Sequence, residues 1–270
     1  MEQLYAPHPY ARPVQGTPEG LASLTAEDCA AFHAASLAAG PIVTAAGSLP
    51  EAGLEEHLAG LFGHLETDAA EPAPPAPPAG RGPARRQVSL PGSDQAYLFA
   101  GHLTVPRAHP DYEALELLGV VLGAGAGLTG RIPERIRERE GLAYTARGQT
   151  IAGAGLEPGR LVIYLGTSAD RVEQAERGVR EELERLVAEG IGDDELESCR
   201  SYLLGREPFE RETARQWADL SAEAVLYGLP LDHPGWREER LRALTRSEVE
   251  AAARRHLRPD LLQVTVGLPA

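Results

Sequence analysis

Apolar residues recur along this chain with two periods, and each period predicts a kind of element. Cys29, Phe32 and Leu37 stand at helical spacing behind Thr25, and Asp28 follows that threonine by three, so a capped helix is expected over 25–37. Ile42-Val43-Thr44-Ala45-Ala46 predicts a short strand stopped by Gly47. Leu54, Leu58, Leu61, Phe62 and Leu65 make one face of a helix over 50–66. The pattern then collapses over 67–86, where AAEPAPPAPPAGRGPARR predicts a semi-rigid, extended linker. Beyond it come a strand over 97–105 and a helix over 111–123 with Tyr112, Leu115, Leu118 and Leu122 on one side. Strands starting at Leu142 and spanning 161–165 predict an antiparallel hairpin around the turn Glu157-Pro158-Gly159. A long helix over 169–189 turns Val172, Ala175, Val179, Leu183 and Leu186 inward, and further helices are expected over 193–206 and 208–227. Strands and helices mix without strict βαβ alternation, which predicts an α+β fold with helices packed on an antiparallel sheet.

One pattern occurs twice. LTAEDCAAFHAASLAAGPIVTAAGSLP, from Leu24 to Pro50, matches LTRSEVEAAARRHLRPDLLQVTVGLP, from Leu244 to Pro269, in order and nearly in length. Each places a capped helix before a short strand that ends at Gly47 or Gly267, and Thr245 with Glu248 repeats the cap of Thr25 with Asp28. The second copy closes a whole domain. By the same logic the first closes a domain of which this chain carries only the tail, which divides the chain at 1–66, 67–86 and 87–270.

Composition bounds the function. A formal net charge of −14 argues against nucleic acid and anionic membranes as partners, and it permits basic peptides. No apolar run approaches membrane-spanning length, and Met1-Glu2-Gln3-Leu4 lacks the blocks of a signal peptide, so a cytoplasmic location is expected. Cys29 and Cys199 both fall in helical patterns, which predicts free buried thiols and no disulfide.

The candidate chemistry lies in GLTGRIPERIREREGLAYTAR, from Gly127 to Arg147. Ile132 and Ile136, four apart among charged residues, predict an exposed helix over 129–140, Pro133 suits its first turn, and Gly141 can take the left-handed conformation that ends it. Arg137 and Tyr144 would then flank a rigid corner. A forked guanidinium beside a phenol suits a peptide backbone or an oxyanion. Spacing alone favours the plainer reading, a solvated charge run followed by a half-buried strand tyrosine. Arg135 and Arg139 read as solvated helix charges, and a phosphate cradle at GAGAG is poorly supported because no lysine follows.

GHLTVPRAHPDYEALELLGVVLGAGAGLTGRIPERIREREGLAY resembles the second half of the insulinase/pitrilysin-type zinc metallopeptidases, which include the mitochondrial processing peptidase. HPYARPVQGTPEGLASLTAEDCAAFH resembles the end of that family's first half. The resemblance implies two homologous α+β halves, joined by a linker, that close around a chamber for an extended peptide. It also implies that Arg137 and Tyr144 match an arginine and a tyrosine that contact bound peptide and help stabilise the tetrahedral intermediate. Gly123, Gly125 and Gly127 resemble the family's glycine-rich turn. His102 falls on a chamber-side strand, where core packing is its expected role.

The family's zinc motif, H-x-x-E-H, does not occur here in either direction. His57 and His64 are seven apart on one expected helix with no glutamate in the motif position, so they read as a solvated pair. No metal or other cofactor is therefore expected in this chain, and zinc is expected in a partner subunit or in a missing N-terminal half. Three readings follow: a non-catalytic, peptide-binding subunit or C-terminal segment of a zinc endopeptidase, inactive alone; a structural or interaction protein of the same fold; or a truncated chain whose full-length form is the zinc metalloendopeptidase.

Overall fold

The computed structural model describes residues 1–48, 52–65, 75–125 and 129–270. Leu49 and Pro50 of the repeat, residues 67–74 of the expected linker and Gly127 lie outside them. The chain divides into two compact units: Met1–Pro77 with Phe209–Leu231, and Pro78–Pro208 with Asp232–Ala270.

The second unit is built on five strands, β1 (Ala84–Leu90), β2 (Ala96–Leu103), β3 (Ala143–Ala152), β4 (Arg160–Thr167) and β5 (Gln263–Pro269), in the order β1-β5-β2-β4-β3. β1 thus begins inside the stretch expected as linker. The sheet is antiparallel except that β1 and β5 run parallel. The exception is geometric: β5 inserts between two strands of opposite direction, so one neighbour must run with it.

Side chains alternate across this sheet as the pleat requires. Leu98, Ala100, Ala146, Leu161, Ile163, Leu165, Val264 and Val266 all point to one face and are buried. Helix Tyr112–Gly119 packs on β3 and helix Val172–Glu189 on β2 and β4, with helix Arg246–His256 over both helices. The inward stripe Val172, Ala175, Val179, Leu183 and Leu186 is buried as its spacing predicts. Each fully buried leucine contributes about 2 kcal/mol, so this stripe accounts for much of the hold between helix and sheet.

Helix His233–Ala243 has no counterpart in the hydrophobic pattern, because its inward positions are His233, Arg237 and Leu241. Arg237 reaches Glu116 at 2.6 Å and pairs with the buried Glu207, while His233 Nε2 lies 2.8 Å from the Arg107 guanidinium. Buried charge paired with charge replaces apolar packing at this contact.

The first unit is helical, with Ala26–Ala38, Leu54–Phe62 and Ala214–Tyr227 its main elements. The capping box of Thr25 and Asp28 forms, as does its repeat at Thr245 and Glu248. The repeated strand does not: β5 forms, whereas 42–46 pairs with no strand among the described residues. A strand needs a ladder neighbour for its N–H and C=O groups. Here the Thr44 hydroxyl instead donates to the Ala218 carbonyl at 2.8 Å, across to helix Ala214–Tyr227.

Candidate functional site

The corner expected from the sequence is present, and its two arms are more tightly specified than spacing suggests. Helix Arg131–Pro133 passes directly into a wider π-type turn, Glu134–Arg139, a winding often found at functional sites. Ile132 and Ile136 are fully buried, so this is not an exposed helix with two stray apolar residues. Ile136 fits against Gly178 of the long helix, where an added Cβ would lie 2.7 Å from its Cδ1. Pro133 similarly fills the space beside Gly123, whose φ of +130° only glycine adopts readily. The glycine turn is therefore a packing device for the corner, as far as its described residues go.

Gly141 ends the π turn at φ +60°, in the left-handed region. Its N–H donates to the Arg137 carbonyl at 3.2 Å, and the Leu142 N–H donates to the Ile136 carbonyl at 2.8 Å. From outside, Arg171 donates to the Gly141 carbonyl at 2.8 Å. The pairing of β3 with β4 then slips: Ala143 faces Thr167 and Thr145 faces Gly166, leaving Tyr144 as the extra residue of a β-bulge. The bulge aims the phenol outward, and Tyr144 is 76% exposed. The expected half-buried strand tyrosine is thus an exposed one. Sequence could not show this, because a bulge is a relation between two strands.

Three arginines follow one another at every second position, and the structure separates them. Arg135 is bound by Glu140 at 2.8 Å and by Glu181, so it is a fixed structural charge and not the solvated one expected. Arg139 pairs with Glu134 on an exposed surface. Among the described residues the one carboxylate near Arg137 is Glu138 at 3.8 Å, and the guanidinium carbon lies 5.5 Å from the centre of the Tyr144 ring. The corner thus brings Arg137 and Tyr144 together, a guanidinium with its side chain 27% exposed over the ring of an exposed phenol. Beside them a hollow of about 220 Å³ is lined by Gln95, Gly141, Tyr144, Gly166, Thr167 and Arg171. Such a group can grip a carbonyl or an oxyanion.

Other candidates resolve into structure. His102 is buried on the helix-covered face; its Nδ1 lies 2.9 Å from the Leu103 carbonyl and its Nε2 accepts from the Arg258 N–H at 3.1 Å. Burial holds its pKa below the ordinary value, as suits an uncharged packing residue. His57 and His64 are exposed. His109, Asp111 and His256 are the one set among the described residues whose spacing could hold a metal ion. Asp111 is already engaged there by the Arg255 fork at 2.8 and 3.1 Å and by His256 Nε2 at 2.7 Å. This network ties the start of helix Tyr112–Gly119 to the end of helix Arg246–His256. Cys199 is buried and its thiol is pushed up to about 11 by burial, whereas Cys29 is exposed, against the expectation of two buried thiols.

Three comparisons bear on the chain. The family model described as peptidase M16 inactive domain matches residues 23–203. An uncharacterized zinc protease of Streptomyces coelicolor is 28% identical over 210 residues, 75% of this chain and 44% of that protein. The chain spans about half the length of the curated relatives it matches. A crystal structure of a peptidase M16 inactive domain from Pseudomonas fluorescens superposes with a TM-score of 0.83 at 25% identity, covering 100% of this chain and 63% of that one. The non-peptidase homolog YmxG of Helicobacter pylori is 29% identical over 143 residues, 52% of this chain and 32% of that protein.

Proposed function

Since the chain belongs to the M16 peptidases, the insulinase/pitrilysin type, and matches their inactive domain, we propose that it is the peptide-contacting, non-catalytic part of a zinc endopeptidase. Zinc and its activated water would come from a homologous half, either in a partner subunit or in the same longer protein. Arg137 and Tyr144 would reach the bound peptide from the opposite side and donate to the oxyanion of the tetrahedral intermediate. The observation that carries this reading is the bulge at Tyr144, which exposes a phenol and sets it beside Arg137, the arginine in its run that no carboxylate among the described residues holds within 3.5 Å.

The test is reconstitution with a zinc-bearing M16 half and a peptide substrate. This chain alone is expected to hydrolyse nothing. In the pair, Tyr144→Phe removes one donor and is expected to cut turnover by about two powers of ten, the usual cost of losing one oxyanion donor. Arg137→Lys keeps the charge and loses the fork, and the same direction is expected. Turnover within a few-fold of the parent for both variants would leave the chain as scaffold.

A further inference from the structure

One copy of the repeat is fully employed in the fold and the other is not. Leu24 to Gly47 matches Leu244 to Gly267 position for position, with no gap. In the second copy Val249, Ala252 and Leu257 of the helix are buried, as are Leu262, Val264 and Val266 at β5. That helix covers helices Tyr112–Gly119 and Val172–Glu189, and β5 enters the sheet between β1 and β2. The counterparts in the first copy are Cys29, Phe32 and Leu37, then Ile42, Thr44 and Ala46. None of these six is buried, and Cys29, Phe32 and Ile42 are exposed.

The backbone is unemployed as well. Among the described residues, no N–H or C=O group of 41–47 bonds to another backbone group, and the first unit holds no strand to pair with. The Thr44 hydroxyl on the Ala218 carbonyl holds the segment from one side. Unpaired ladder groups beside an exposed apolar helix face are what a sheet with a missing strand recognises.

The second copy shows which sheet fits. β5 runs parallel to β1 and antiparallel to β2, and Val264 and Val266 face the covering helices. The first copy therefore fits a sheet that leaves the same slot, with two helices above it to take Cys29, Phe32 and Leu37. A second copy of this chain offers no such slot, because its own β5 fills it.

We propose that helix Ala26–Ala38 and residues 42–46 are a docking surface for the homologous half, whose open sheet they close. The helix lies across two helices of that half, and 42–46 inserts between two of its strands, parallel to one and antiparallel to the other. The proposal rests on the reading that a homologous half supplies the zinc, and it names the surface that half takes. Residues 42–46 become a strand only there, which accounts for a strand pattern that forms no strand in the chain alone.

The test co-expresses the full chain with a zinc-bearing M16 half cut before its own closing helix and strand, and in parallel with the same half left whole. Cys29 gives the readout, since it is exposed and Cys199 is buried. Alkylation of Cys29 by a maleimide is expected to slow at least about ten-fold in the pair with the cut half, and to keep the free-chain rate beside the whole one. Amides of 42–46 should become slow to exchange in the same pair. Phe32→Glu changes an exposed ring and Ala45→Pro a residue outside any ladder, so both should leave the melting of the chain alone unchanged. In the pair both should return Cys29 to the free-chain rate. An unprotected Cys29, equal protection by the whole half, or indifference to both substitutions overturns the inference. A cut half that stays insoluble beside this chain overturns it as well. The peptide-contact reading falls separately, if Cys29 is protected and the pair turns over peptide while Tyr144→Phe and Arg137→Lys leave turnover intact.

Discussion

Arg137 differs from Arg135 and Arg139 in nothing that composition records, and the difference in their fates comes from which carboxylates lie in reach. Glu140 and Glu181 take Arg135, and Glu134 takes Arg139. Arg137 is left to Tyr144. The pair was legible in the sequence as a fork and a phenol across a glycine corner, but its exposure was not. Single residues also set a pH dependence. Burial, with Arg107 next to it, pushes His233 down from 6.5 to about 4. The unfolded chain therefore takes up this proton first as the pH falls. Stability that is whole above about pH 6.5 is lost progressively toward pH 4, and the buried His102 shifts in the same direction. Urea unfolding is expected to show a midpoint that falls across this window by the equivalent of about 2 kcal/mol. His233→Gln should flatten most of the slope; an unchanged slope would mean that His233 is charged in the fold.

At the scale of elements, the corner depends on a helix end and a bulge acting together. Gly141 turns the chain at φ +60°, and nothing lies within 4 Å of where its Cβ would be, so backbone conformation alone requires glycine there. Gly141→Ala is expected to cost about 1 kcal/mol, read as a lower melting temperature. Because the glycine sets the direction of β3, the same variant should also weaken activity of the reconstituted pair. An alanine variant as stable as the parent would show that the corner can relax. The capping boxes at Thr25 and Thr245 were legible, since a cap is a local pattern of four residues. The strand at 42–46 was misjudged for the opposite reason, because a strand exists only with a neighbour, and β5 has β1 and β2 beside it. Helix His233–Ala243 escaped notice because its buried face is made of a histidine, an arginine and a single leucine.

Across the whole molecule the core is unevenly shared. Helices Ala26–Ala38 and Leu54–Phe62 of the first unit have no buried residue, and Phe32 is 76% exposed. Helix Val172–Glu189 of the second unit buries seven. Local opening costs least where few apolar contacts must be broken. Native-state hydrogen exchange is expected to find the amides of the two first-unit helices exchanging orders of magnitude faster than those of the long helix. Equal protection would mean that the first-unit helices are held by contacts that burial does not reveal, and a zinc-bearing half that slowed their exchange would identify its docking surface.

Local and periodic features were determined by the sequence itself: the long inward stripe from Val172 to Leu186, the two capped helices, the glycine corner, the absence of H-x-x-E-H, and through them the α+β fold and the family. Each is written within a few neighbouring residues or in one period, so no distant contact is needed to read it. Tertiary structure alone decided the insertion of β5 beside β1, the bulge that exposes Tyr144, and the carboxylates that claim Arg135 and Arg139. These are relations between segments far apart in the chain. Their outcome depends on register and direction, which no stretch of residues carries by itself.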